Sequence, residues 1–317
     1  LQAFSLPAVN ITDGTTFAET ALGYEEFKRR GAWTKAALAL FGLIGLTCSA
    51  PGSAEETTST PAADQWVKRS TRSFKRALFY KPRENGANGP EWTYAPLIVQ
   101  EVDDGWEADL TEPFGAITQK GTIDQERPTV YVATSTARLG GREHDQVTYA
   151  WRYPERTPRE SCLKDAGMRG VRLTLSADGM PLVWEALSTE EPRRVLFVSN
   201  SLEEAAKREF GDPLPRRTFS VEREVAEARD VVVVRVIDDG PVPMGPYVYL
   251  SALPRRDITT VLCRCSPSQV DEFVATRSYE LLPLETTPKG LTRWQDFARA
   301  DYQPSLERDL RWPTQAP

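Results

Sequence analysis

The chain has 317 residues, 39 Lys+Arg against 45 Asp+Glu, and 40% hydrophobic residues. That is enough apolar material for one large core or two smaller ones, and the charged fraction of 26% excludes global disorder. A net charge of −6 supplies no cation excess to displace counterions from phosphates, so nucleic acid is not an expected partner. One His and four Cys exclude a His-rich metal centre and a dense disulfide scaffold.

The first sixty residues read differently from the rest. Lys28, Arg29, Arg30 and Lys35 precede an uncharged apolar run from Ala36 to Ala50. Small residues follow, with Gly52-Ser53-Ala54 offering a cut site before Glu55. A basic flank, a short apolar run and small residues form the pattern of a secretory signal. The run is shorter than the ~20 residues a membrane span requires, which favours a cleaved signal over an uncleaved anchor. A lipoprotein signal acylated at Cys48 is the second reading, although Gly45 and Thr47 fit a lipobox poorly. Residues 1–27, which open on Leu1, read as a disordered extension upstream, with a non-standard start. Every one of these readings places the remainder outside the cytoplasm, secreted or periplasmic.

Residues 55–63 form a polar linker. Asp64 to Phe79 spaces Trp66, Ser70, Phe74 and Ala77/Leu78 helically, and seven Lys/Arg with no acid lie between Gln65 and Arg83. A basic amphipathic helix with its trailing loop is therefore expected over 64–95. Residues 64–83 are a candidate contact for an anionic membrane, but docking on the domain through Trp66 and Phe74 is the favoured reading.

An α+β globular domain, predominantly antiparallel β-sheet with a few short helices, is expected over 96–317. Thr129–Arg138 and Gln146–Tyr153 flank Gly140-Gly141 as a hairpin, and Val171–Leu175 and Leu182–Leu187 flank Asp178-Gly179 as another. Arg194–Ser199 is read as a strand leading into a helix capped by Ser201 and stopped by Gly211. Thr260–Cys265 is read the same way, with Pro267 opening a helix that runs to about Ala275. Val231–Ile237 and Tyr247–Leu253 are strands between these units, and Leu291–Arg299 is a last short helix.

The chain carries no G-x-S-x-G, phosphate loop, H-E-x-x-H or C-x-x-C pattern. A histidine mechanism would have to use His144, which reads as a turn residue. Cys263 and Cys265 share one strand face; with Cys162 and His144 they would make a zinc set of three thiolates and an imidazole. A disulfide from Cys162 to one of the pair is the plainer reading, so no cofactor is expected. Asp238 and Asp239, at a strand end before a Pro/Gly-rich loop, are the candidate general acid and base of a hydrolase, against a purely structural connection. Glu185 and Glu222 are the other carboxylates worth locating. Tyr149, Trp151 and Tyr153 alternate along one strand, as a sugar-stacking platform would, although such a stripe is more often a core face. Together these features describe an exported binding or structural module, with the hydrolase and the thiol or zinc protein as alternatives.

Overall fold

Two glycine turns set the local order of the sheet. Strands β5 (Thr129–Leu139) and β6 (Arg142–Arg152) pair antiparallel across Gly140-Gly141, whose φ values of +58° and +78° only glycine adopts without strain. Strands β7 (Met168–Leu175) and β8 (Pro181–Ser188) pair across a turn in which Gly179 has φ +77°. Both expected hairpins are present. The computed structural model describes residues 61–84, 89–103, 112–154, 167–188, 194–224, 231–253, 256–263, 269–288 and 305–317.

The other elements are α1 (Pro61–Ser70), β1 (Phe74–Pro82), α2 (Pro90–Thr93), β2 (Leu97–Glu101), β3 (Ala116–Ile117) and β4 (Ile123–Asp124). After β8 come β9 (Arg194–Ser199), α3 (Asn200–Phe210), β10 (Val231–Ile237), β11 (Pro246–Leu250), β12 (Ile258–Cys263), β13 (Val270–Pro283) and α4 (Leu306–Asp309). Eleven strands form one sheet in the order β10-β9-β8-β7-β6-β5-β13-β1-β2-β11-β12. Six of its ten ladders are antiparallel and four are parallel: β1·β13, β9·β10, β2·β11 and β5·β13. The architecture is mostly strand with short helices, as expected, but the sheet is mixed rather than predominantly antiparallel.

The long strand β13 is the pivot. Its residues from Val270 to Tyr279 run beside β1, and Glu280–Pro283 run beside β5. The two halves of the sheet share one core on their inner faces. Leu78, Tyr80, Ile98, Val248 and Val261 from one half meet Tyr149, Trp151, Leu173, Trp184 and Phe197 from the other. Helix α1 packs against both edge strands, β10 and β12, and sends Trp66 into that core.

Two helical expectations are corrected. The helix expected through Phe79 stops at Ser70, and Phe74–Pro82 is a strand inside the sheet. Ser70 and Thr71 hydroxyls donate to the carbonyls of Val67 and Lys68, filling acceptors that a further turn would have used. Trp66 docks as expected, whereas Phe74 is buried on the outer face of β1. Helix to Ala275 is likewise replaced by β13, where pairing with β1 outweighs local propensity. Of the two segments read as strand leading into helix, only Arg194–Phe210 therefore forms one. The segment expected as a helix at Leu291–Arg299 lies outside the described residues.

The C-terminal strap, from Ser305 to Pro317, closes the outer face of β5–β9. Leu306, Leu310 and Trp312 pack with Leu139, Leu182, Val198 and Leu202, and the Gly140 N–H donates to Glu307 Oε1 at 2.6 Å. A Cβ on Gly140 would stand 2.7 Å from the Trp312 ring, whereas one on Gly141 would meet nothing within 4 Å. Both substitutions to alanine incur the left-handed penalty of about 1–2 kcal/mol. Gly140→Ala also displaces the strap, so urea unfolding is expected to rank it clearly below Gly141→Ala; equal losses would contradict the contact.

Candidate functional site

Strand β6 separates the candidates by its alternation. Tyr149, Trp151 and Tyr153 are at most 2% exposed and point into the core, so they form no stacking platform. The two tyrosine hydroxyls are spent internally: Tyr149 Oη donates to the Glu91 carbonyl at 2.7 Å, and Tyr153 Oη to Gln100 Oε1 at 3.0 Å. Tyr131 lies across the ladder on the opposite face, where its hydroxyl accepts from the Ile117 N–H.

His144 is on that opposite face too, and it is buried rather than a surface turn residue. Its Nδ1 donates to the Leu175 carbonyl at 2.8 Å, and its ring meets Trp312 edge-on at 5.1 Å. Cys263 belongs to the inner core, so the sheet separates the imidazole from that thiol. Cys48, Cys162 and Cys265 lie outside the described residues. Among the described residues, no three His, Cys, Asp or Glu side chains are grouped to hold a metal.

Asp238 and Asp239 are exposed, and Asp239 has structural work. It accepts from both the N–H and the hydroxyl of Ser201, at 3.0 and 2.9 Å, in the first turn of α3. Negative charge there offsets the helix dipole. The N-cap is Ser199, two residues before the expected Ser201; its hydroxyl accepts from Leu202 N–H, and Gly211 closes the helix as expected. The void beside the Asp239–Gly245 loop is about 10 Å³, room for one water. Glu222 accepts from Thr218 and Phe219 N–H groups, and burial pushes its carboxyl up. Glu185 sits in a buried ionic layer with Arg172, Arg194 and Asp309.

A concave site of about 320 Å³ lies elsewhere, where the β5–β6 hairpin, the β7–β8 turn and α2 meet. Val147 and Leu175 give it an apolar floor. Glu91, Tyr94, Thr134, Ser135, Asp145, Gln146 and Ser176 supply its polar groups. Tyr94 is 5% exposed and donates to the Gly179 carbonyl at 2.6 Å, tying α2 to the β7–β8 turn. The Tyr149–Glu91 bond ties α2 to β6, so the walls are fixed on both sides. Gly245 closes behind α2: its N–H donates to the Thr93 carbonyl, and a Cβ there would stand 2.4 Å from the Tyr94 carbonyl oxygen.

Electrostatically the groove is one-sided. No Lys or Arg is among the described residues that line it, whereas two carboxylates are. Burial pushes the Tyr94 phenol up, and the Asp145 charge pushes it further. The sequence reading missed this site. One signal was present: the inner face of β6 runs Trp151, Tyr149, Val147 and then turns to charge at Asp145. Comparison with known proteins finds no matching family model, no matching curated protein and no matching solved structure.

Proposed function

We propose that the chain is an exported binding module whose ligand occupies the Tyr94–Asp145 groove. The observation that carries this reading is the groove itself. Its volume falls within the ~300–1,000 Å³ of small-molecule sites, and its polar groups stand around an apolar floor. Its walls are held by two hydrogen bonds from buried tyrosines, so little ordering is required on binding. The basic flank and apolar run over Lys28–Ala50 support an extracytoplasmic setting.

Thr134 is exposed at the groove wall, so Thr134→Trp fills the site without touching the core. Saturation-transfer NMR against a panel of monosaccharides, alkylamines and organic acids is expected to find a binder that this variant loses, with an unchanged circular dichroism spectrum. Binding that survives in Thr134→Trp would move the site elsewhere.

A further inference from the structure

We infer that the groove selects an alkylammonium ligand, with Asp145 as its principal counter-ion and the Val147–Leu175 floor taking its methylenes. This rests on the groove being the binding site. Asp145 and Glu91 line the same concavity, and no described residue forms an ion pair with either carboxylate. A cleft with carboxylates of one sign and low-dielectric walls concentrates its field on whatever enters. Asp145 is exposed at its own position, yet its charge reaches the buried Tyr94 phenol across the groove. Its field therefore acts into the cavity as well as into solvent.

The alternatives fare worse on the same residues. An anion would meet two carboxylates with no described guanidinium or ammonium group to offset them, a like-charge juxtaposition that costs affinity. A neutral polyol could use Thr134, Ser135, Gln146 and the carboxylates, but it leaves both charges uncompensated and sets hydroxyls against Val147 and Leu175, which offer them no partner. A primary ammonium on a short alkyl chain satisfies both parts. Its three donors meet the two carboxylates and the hydroxyls of Thr134 and Ser135, and its chain covers the two apolar side chains.

The test is isothermal titration with pentylamine, 1-pentanol and pentanoate, which share one chain and differ in charge. Pentylamine is expected to bind at least about tenfold more tightly than 1-pentanol, and pentanoate not at all. Asp145→Asn, at an exposed site, is expected to weaken pentylamine about threefold to fivefold while leaving 1-pentanol unchanged and the thermal melt intact. Asp145→Asn also removes the charge that pushes the Tyr94 phenol up, so the pH at which Tyr94 ionises, followed by NMR of tyrosine ring carbons, is expected to fall. A purely structural role for Asp145 would leave it unmoved. Equal binding of amine and alcohol overturns the assigned ligand class. So does a different panel member that binds and is blocked by Thr134→Trp, and in both cases the groove stands. If Thr134→Trp blocks no ligand at all, the groove reading and this inference fall together.

Discussion

Replacing Glu185 with alanine is expected to lower the unfolding free energy by about 3–5 kcal/mol, the usual loss when one partner of a buried ion pair is removed. Glu185 is 2% exposed, on β8 beneath the C-terminal strap. Its Oε1 accepts from Arg194 Nε at 2.8 Å and its Oε2 from Arg194 Nη2 at 3.3 Å. Arg172 Nη1 lies 3.6 Å from the same Oε2, and Arg194 Nη1 donates to Asp309 at 2.5 Å. These four described groups carry two positive and two negative charges, which balance one another until Glu185 is removed. Burial alone would lower the Arg194 pKa, but Glu185 and then Asp309 reverse that and hold it raised. Urea unfolding followed by circular dichroism reads the loss directly, with an unchanged m-value marking it as a stability effect. A double-mutant cycle with Arg194→Met is expected to return about 1–3 kcal/mol of coupling. Because Asp309 belongs to the strap, amide exchange in 305–317 is expected to speed up in the same variant. A loss below about 1 kcal/mol would mean that water replaces the carboxylate and the layer is not dry.

What could be read from the sequence was local. Gly140-Gly141 announces a two-residue hairpin turn and Asp178-Gly179 a longer one, because each turn needs positive φ at a fixed position. Gly211 marks the end of α3 for a related reason. The parallel ladders have no such mark. Phe74 pairs with Val270, 196 positions along the chain, and nothing near either residue encodes the partner. The helix signal over 64–79 rests on Trp66, Ser70, Phe74 and Ala77/Leu78 at helical spacing, and the one after Cys265 on Pro267 at a first helical position. Four or five residues at that spacing also suit a strand with two unequal faces, and tertiary pairing decided for strand.

The site was hidden for a different reason. A single strand reveals two faces but not which one meets solvent, and β6 is covered on both sides over most of its length. Thr148 and Arg152 look like a solvated face in the sequence, yet they are buried under the outer layer. The groove depends on α2, a four-residue helix too short to show periodicity, being tied to β6 by one hydrogen bond. Asp239, by contrast, was conspicuous because a doublet of acids precedes a rigid loop, and its role is to cap α3.

Trp151→Ala is the sharpest test of that division between core and site. A stacking platform would lose ligand affinity on this substitution and keep its stability. Trp151 is instead fully buried, with its ring 6.2 Å from that of Phe114 between the two halves of the sheet. Removing so large a side chain from a core costs about 3–5 kcal/mol through lost transfer energy and the cavity left behind. At about 2–4 °C per kcal/mol for a domain of this size, the melting temperature is expected to fall by roughly 10 °C. Tyr149→Phe, two residues away on the same face, makes the complementary case. It keeps the ring and deletes only the hydroxyl that holds the Glu91 carbonyl, a loss of about 0.5–1.5 kcal/mol. Its larger consequence falls on the groove, whose α2 wall is then tied by Tyr94 alone of the two buried tyrosines. Melting curves and pentylamine titrations on both variants should therefore separate, with Trp151→Ala dominating the first and Tyr149→Phe showing chiefly in the second. A Trp151→Ala protein with a wild-type melting temperature would return the stripe to the surface and contradict the packing of the sheet.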